Sequence, residues 1–177
     1  MKNLAILAFF VLALPASAAW PEHFTIYGLG AKSAPNKHGK MDLQSLNFEA
    51  TGPAKWHFDW GVDFAATHMR QPVDFFDTLH QTESVNAASL SLLGRKTFGK
   101  HGSVRPYVEL SSGPIYASER VPESTSHFNF ISQAGAGILT DRGWMAGIRF
   151  GHISNAGYAE RNPGVNFTAV LVGFRLR

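Results

Sequence analysis

The stretch KWHFDWGVDFAAT, residues 55–67, alternates bulky apolar side chains with small or charged ones. Trp56, Phe58, Trp60, Val62 and Phe64 fall on one face, and His57, Asp59, Gly61 and Asp63 on the other. A period of two means a β-strand with one apolar and one polar wall. Three further stretches repeat the pattern. In SVRPYVEL (103–110), Val104, Val108 and Leu110 oppose Arg105, Tyr107 and Glu109. In GWMAGIRFGHIS (143–154), Trp144, Ala146, Ile148 and Phe150 oppose Met145, Gly147, Arg149 and Gly151. In VNFTAVLVGFRLR (165–177), Val170, Val172, Phe174 and Leu176 oppose Gly173 and Arg175.

A soluble barrel would turn its apolar face inward. Here the inward set would then be aromatic, and Asp59, Asp63, Arg105, Glu109 and Arg149 would crowd the solvent side. The reverse assignment pairs those charges in a polar lumen and sets the aromatics against lipid. The expected fold is therefore all-β: an eight-stranded antiparallel up-and-down transmembrane β-barrel. Its strands are expected at 24–33, 41–51, 55–67, 85–98, 103–118, 128–139, 142–154 and 165–176. Short turns fall at Thr51–Ala54, Gly99–Gly102 and Thr140–Gly143. Longer connections fall at 34–40, 68–84, 119–127 and 155–164. Short periplasmic turns and long outer loops are the habit of such barrels. Pro106 must sit near a strand start or at a bulge, and Ser112-Gly113-Pro114 reads as a second bulge.

Composition agrees. Charged residues make up 16% of the 177, below the roughly 25% of soluble domains, while Phe (14) and Gly (17) are abundant. The net charge of +3 is too mild to identify a partner, and its basic residues form no nucleic-acid-binding stripe. With no cysteine, disulfides and thiolate metal sites are excluded. Met-Lys-Asn, a short apolar run and Ala16-Ser17-Ala18 make residues 1–19 a cleaved signal peptide, leaving 20–177 as one barrel domain. Trp20, Trp56, Trp60 and Trp144 suit interfacial girdles or the lipid wall.

The seventh strand ends in GHISNAGYAERNPGVNF, residues 151–167. His152 and Ser154 are two apart and so share a side, by parity the lipid-facing one. An imidazole and a hydroxyl there are either interfacial polar residues or a base beside a nucleophile. His152-Ile153-Ser154-Asn155-Ala156-Gly157, with Asn162-Pro163-Gly164-Val165-Asn166 downstream, resembles the signature of the lipid A 3-O-deacylases (PagL), an acyloxyacyl hydrolase family. The specific match covers about 15 residues; the remainder is architectural.

The resemblance implies an outer-membrane serine esterase that removes an ester-linked (hydroxy)acyl chain from lipid A. Its partners would be lipopolysaccharide and outer-membrane lipid, without a cofactor; pairing with a second copy stays open. Carried over by residue, Ser154 would be the nucleophile and His152 its base. Asn155, with the N–H groups of Ala156 and Gly157, would form the oxyanion hole. The family's orienting acid is a Glu in the last strand, and here the matching position is Asn166. An amide oxygen can hold the imidazole tautomer but lacks the carboxylate's charge. Glu160, in the preceding loop, is a substitute acid or a solvated loop charge. The competing reading is a non-catalytic structural or adhesive barrel of the same fold.

The remaining histidines have no metal-ligand spacing. His23 precedes the first strand; His38, His57, His68, His80, His101 and His127 read as loop, turn or lumen residues. GLGAKS, residues 28–33, lacks the spacing and the strand–helix setting of a phosphate loop.

Overall fold

A computed structural model describes residues 21–33, 41–54, 58–73, 82–99, 103–122 and 125–176. Residues 1–20, with the expected signal peptide and Trp20, lie outside the described set, as do Trp56, His38, His57, His80 and His101. Eight strands run in order: β1 His23–Ser33, β2 Asp42–Ala54, β3 Phe58–Pro72, β4 Thr82–Thr97, β5 Val104–Ala117, β6 Phe128–Thr140, β7 Trp144–Ser154 and β8 Val165–Leu176. Each pairs antiparallel with its neighbours in sequence, and β1 pairs with β8 to close the barrel.

Alternation decides which side chain faces where. Phe64, Leu110, Phe150, Val170 and Val172 stand exposed on the outer wall, Phe150 at 59%. Their strand neighbours Asp63, Glu109, Arg149, Ala169 and Leu171 are buried inside. An eight-stranded barrel is narrow enough for side chains to fill it. Part of the filling is apolar, including Tyr27, Leu93, Tyr107, Leu139, Met145, Ile153, Phe167 and Leu171.

The rest is a charge network. Arg95 Nη2 lies 2.8 Å from Glu49 Oε1 and 2.7 Å from Glu109 Oε2. Arg149 reaches Glu109 at 2.6 Å, Glu49 at 3.2 Å and Asp63 at 3.2 Å. The Tyr27 hydroxyl donates to Asp63 and accepts from Arg149. Each guanidinium also lies over a tyrosine ring, Arg95 on Tyr107 and Arg149 on Tyr27. Planar forks of five donors can satisfy several carboxylates at once, which is why arginine fills this role.

Several expectations change. Asp63, Glu109 and Arg149 are lumen residues, and Asp59, part-buried on the same face of β3 as Asp63, pairs with Arg175 at 3.4 Å. Arg105 instead faces Asp141 across 3.7 Å. Thr51–Ala54 is not a turn: Thr51 pairs with Gly61 and Ala54 with Phe58, so the β2–β3 connection is residues 55–57. Gly52-Pro53 misled because such a pair marks turns, yet both residues lie in the last steps of β2. The 68–84 connection is also shorter. Inward Met69 and Gln71 and outward His68 and Arg70 continue the alternation to Pro72, and β4 begins at Thr82. His68 is accordingly an outer-wall strand residue, bonded through Nδ1 to Asn86 Oδ1 at 3.0 Å.

Pro106 does sit near a strand start. The bulge expected at Ser112-Gly113-Pro114 does not occur. The β4–β5 register is the same on both sides, Ser89 with Ile115 and Leu92 with Ser112, and only the intervening pairs are lost. Proline has no N–H to donate. At Gly113 the β4 backbone comes so close that a Cβ would lie 2.0 Å from the Leu90 carbonyl oxygen.

The parity assignment has a direct test. Phe150→Arg puts a charge on the outer wall and should lose about 2–4 kcal/mol in bilayers. A Phe150→Arg barrel as resistant to urea as the parent would contradict it.

Candidate active site on the outer wall

β7 is held from inside and offers its chemistry outside. Arg149 and Ile153, both fully buried, anchor it to the lumen network and the apolar filling. His152, between Gly151 and Ile153, therefore points outward and is exposed. Its cross-strand partner on β8 is Asn166. Directly opposed residues bring their side chains within reach, and His152 Nδ1 meets Asn166 Oδ1 at 2.7 Å. With the amide oxygen accepting, Nδ1 carries the proton and Nε2 keeps a basic lone pair.

Gly164 makes room for this ring. A Cβ there would lie 2.6 Å from His152 Cε1 and 3.1 Å from Nε2, and its φ of 63° is one that L side chains rarely adopt. One more step of the β7–β8 register beyond Ile153–Val165 sets Gly164 opposite Ser154. The Cε1–Nε2 edge of the imidazole thus lies against Gly164, at the Ser154 level of the wall. Among the described residues no hydrogen bond joins Ser154 Oγ to His152. Catalytic contacts are often loose in unliganded sites and tighten around substrate. Ser154 is half-buried and pairs across to Phe130 of β6, whose ring packs against Phe128 and Tyr158.

The loop after Ser154 is built by Asn155, which is buried. Its N–H donates to Asn162 Oδ1 (3.1 Å), its Nδ2 to the Arg161 carbonyl (2.7 Å), and its Oδ1 accepts from Gly157 N–H (2.9 Å). Tyr158 N–H closes the turn on the Asn155 carbonyl at 3.0 Å. The central residues Ala156 and Gly157 have φ of 53° and 84°, the signs a type I′ turn requires. Alanine is strained there, by roughly 1–2 kcal/mol. Among the described residues, Ala156 N–H has no acceptor, whereas the other two expected oxyanion donors are engaged within the loop. Glu160 is exposed and, among the described residues, makes no hydrogen bond or ion pair; the imidazole N–H is taken by Asn166.

An open groove of about 570 Å³ runs beside His152 and Asn166, walled by Leu110, Ala134, Phe150 and Thr168. Sequence reasoning assigned no role of their own to Gly164 or Asn162, nor to Ser132 and Ala134 of β6, which line this groove. Gly164 stood within the noted loop, but its role depends on where the ring of a different strand lies.

Residues 40–175 match the family model described as lipid A 3-O-deacylase (PagL). Among curated proteins no match is found. Among solved structures, the crystal structure of the outer membrane enzyme PagL is similar at 18% identity and a TM-score of 0.61, covering 84% of this chain and 98% of that one. Neisserial surface protein A (NspA) gives the same TM-score at 13% identity, with 87% of this chain and 95% of that one covered. At such identities the two structures speak for the fold.

Proposed function

Because the chain belongs to the lipid A 3-O-deacylase (PagL) family, we propose that it is an outer-membrane esterase that removes an ester-linked acyl chain, at position 3, from lipid A. The observation that carries this reading is the His152–Asn166 pair on the lipid side of the barrel, with Ser154 two residues on. On this reading residues 1–19 are removed on export. The aromatic wall meets lipid, and the 155–164 loop lies at the outer leaflet, where lipid A diffuses laterally to the groove.

The chemistry follows from the groups present. A serine hydroxyl is a weak nucleophile until a base takes its proton. His152 Nε2 takes it as Ser154 Oγ attacks the ester carbonyl. The Ala156 N–H, left without an acceptor among the described residues, serves the developing oxyanion, and Asn155 and Gly157 hold the turn in shape. His152 then returns the proton to the departing sugar oxygen. Water, activated by the same nitrogen, releases the fatty acid from Ser154. Asn166 keeps Nδ1 protonated throughout.

The amide at 166 favours a second reading, a barrel of the same fold that does not catalyse. Mass spectrometry of lipid A from cells with and without the protein separates the two. The esterase reading expects the loss of one acyl mass, present with the parent and absent with Ser154→Ala. Unchanged lipid A in parent-expressing cells, with the barrel folded in the outer membrane, would leave the second reading standing.

A further inference from the structure

A row of polar side chains crosses the apolar outer wall from β5 to β8. Ser112 of β5, Ser132 of β6, His152 of β7 and Asn166 of β8 are successive cross-strand partners, and all four are exposed. His152 and Asn166 form one bonded pair; Ser112 Oγ and Ser132 Oγ form the other, 2.9 Å apart. One step along the strands, Leu110 and Phe150 bring back the apolar surface. The esterase chemistry uses the first pair and leaves the second without a task. Hydroxyls on a lipid-facing wall are costly unless they are bonded. Two serines bonded to one another still retain one free O–H and several lone pairs.

Ser132 lines the groove beside His152. Ser154 lies two residues beyond His152, about 7 Å along the strand. An acyl chain whose carbonyl sits at Ser154 and whose tail lies in the groove passes the serine pair with its first few carbons. Among the described residues no Lys, Arg, Asp or Glu lines the groove, so the partner that suits it is neutral.

We propose that Ser132, supported by Ser112, is a specificity-determining residue that hydrogen-bonds a hydroxyl carried by the acyl chain close to its ester carbonyl. The site then prefers hydroxyacyl to plain acyl esters. This rests on the esterase reading insofar as Ser154 marks the position of the carbonyl. One hydrogen bond of this kind is worth a preference of about 3–10-fold.

The test uses the full barrel in detergent micelles with two para-nitrophenyl esters, 3-hydroxydodecanoyl and dodecanoyl. The parent should show the higher kcat/KM for the hydroxyacyl ester. Ser132→Ala should bring the ratio of the two below about twofold, and Ser132→Thr, which keeps a hydroxyl, should restore it. A merely structural serine would alter unfolding without moving the ratio. Binding of the two free acids to the Ser154→Ala form, followed by NMR shifts at residues 132 and 152, gives a readout that needs no turnover. Equal hydrolysis of both esters by the parent, or a ratio that Ser132→Ala leaves unchanged, overturns the subsite while the esterase stands. Ser132-dependent tighter binding of the hydroxy acid in a barrel that cleaves neither ester sustains the subsite and removes the esterase. No turnover and equal binding of the two acids overturns both.

Discussion

Arg149→Ala should destabilise the barrel by about 3–5 kcal/mol, the usual cost of removing one partner from a buried ion network. Arg149 contacts three carboxylates, Glu109, Glu49 and Asp63; Arg95 is a second guanidinium for the two glutamates, and among the described residues Asp63 has no other ion-pair partner. Truncation leaves them facing one another in a filled lumen with little water to screen them. Arg149→Lys should fall between, because an ammonium on a flexible stem cannot bond three carboxylates and the Tyr27 hydroxyl in one plane. Arg105→Ala is the control. Its pair with Asp141 is 3.7 Å long and partly solvated, so the loss should stay within about 1 kcal/mol. Urea unfolding in bilayers of one composition measures all three. An Arg149→Ala barrel that unfolds with the parent would show that the network contributes little. The position matters for chemistry too, since Arg149 fixes from inside the strand that presents His152 outside.

Ser154→Ala and His152→Ala should each lower deacylation by roughly 10³-fold or more, as loss of the nucleophile or base does in soluble serine hydrolases. Both side chains lie outside the lumen network, so the barrels should fold as the parent does. Asn166 discriminates further. Its amide holds His152 Nδ1 at 2.7 Å but brings no charge to the imidazolium that forms during attack. Asn166→Ala removes the acceptor and should cost about tenfold. Asn166→Asp keeps the reach and supplies a carboxylate, and Asn166→Glu supplies it one methylene further out. A charge-assisted hydrogen bond is about twice as strong as a neutral one, so the better-fitting acid should raise the rate by about tenfold. Rates on purified lipid A in detergent give the comparison. If Glu160→Ala alone abolishes turnover while Asn166→Ala does not, the loop supplies the acid and Asn166 is only a neighbour.

The wall assignment was legible from the sequence because it is a local property. A strand has a period of two, so Asp63, Glu109 and Arg149 had to share one side and Phe64, Leu110 and Phe150 the other, wherever the neighbouring strands lay. His152 and Ser154 were placed on the lipid side by the same counting. Ends were less legible. Gly52-Pro53 carried a turn signal inside a strand, and β3 and β4 continued past the apolar band where polar outward residues hid the alternation.

Tertiary structure decided what depends on pairing between strands. Glu49 and Arg95 come from strands whose alternation is less marked, and they became partners of Arg149 only because closure brings β2, β4, β5 and β7 around one narrow lumen. Asn166 lies 14 residues from His152, and only the β7–β8 register makes it the acceptor for Nδ1. The same register sets Gly164 against the imidazole, and the β5–β6–β7 registers align Ser112, Ser132 and His152 in one row. Period determines the side of the wall on which a residue stands. Register determines which residue stands beside it, and a shift of two residues would keep every side and change every neighbour.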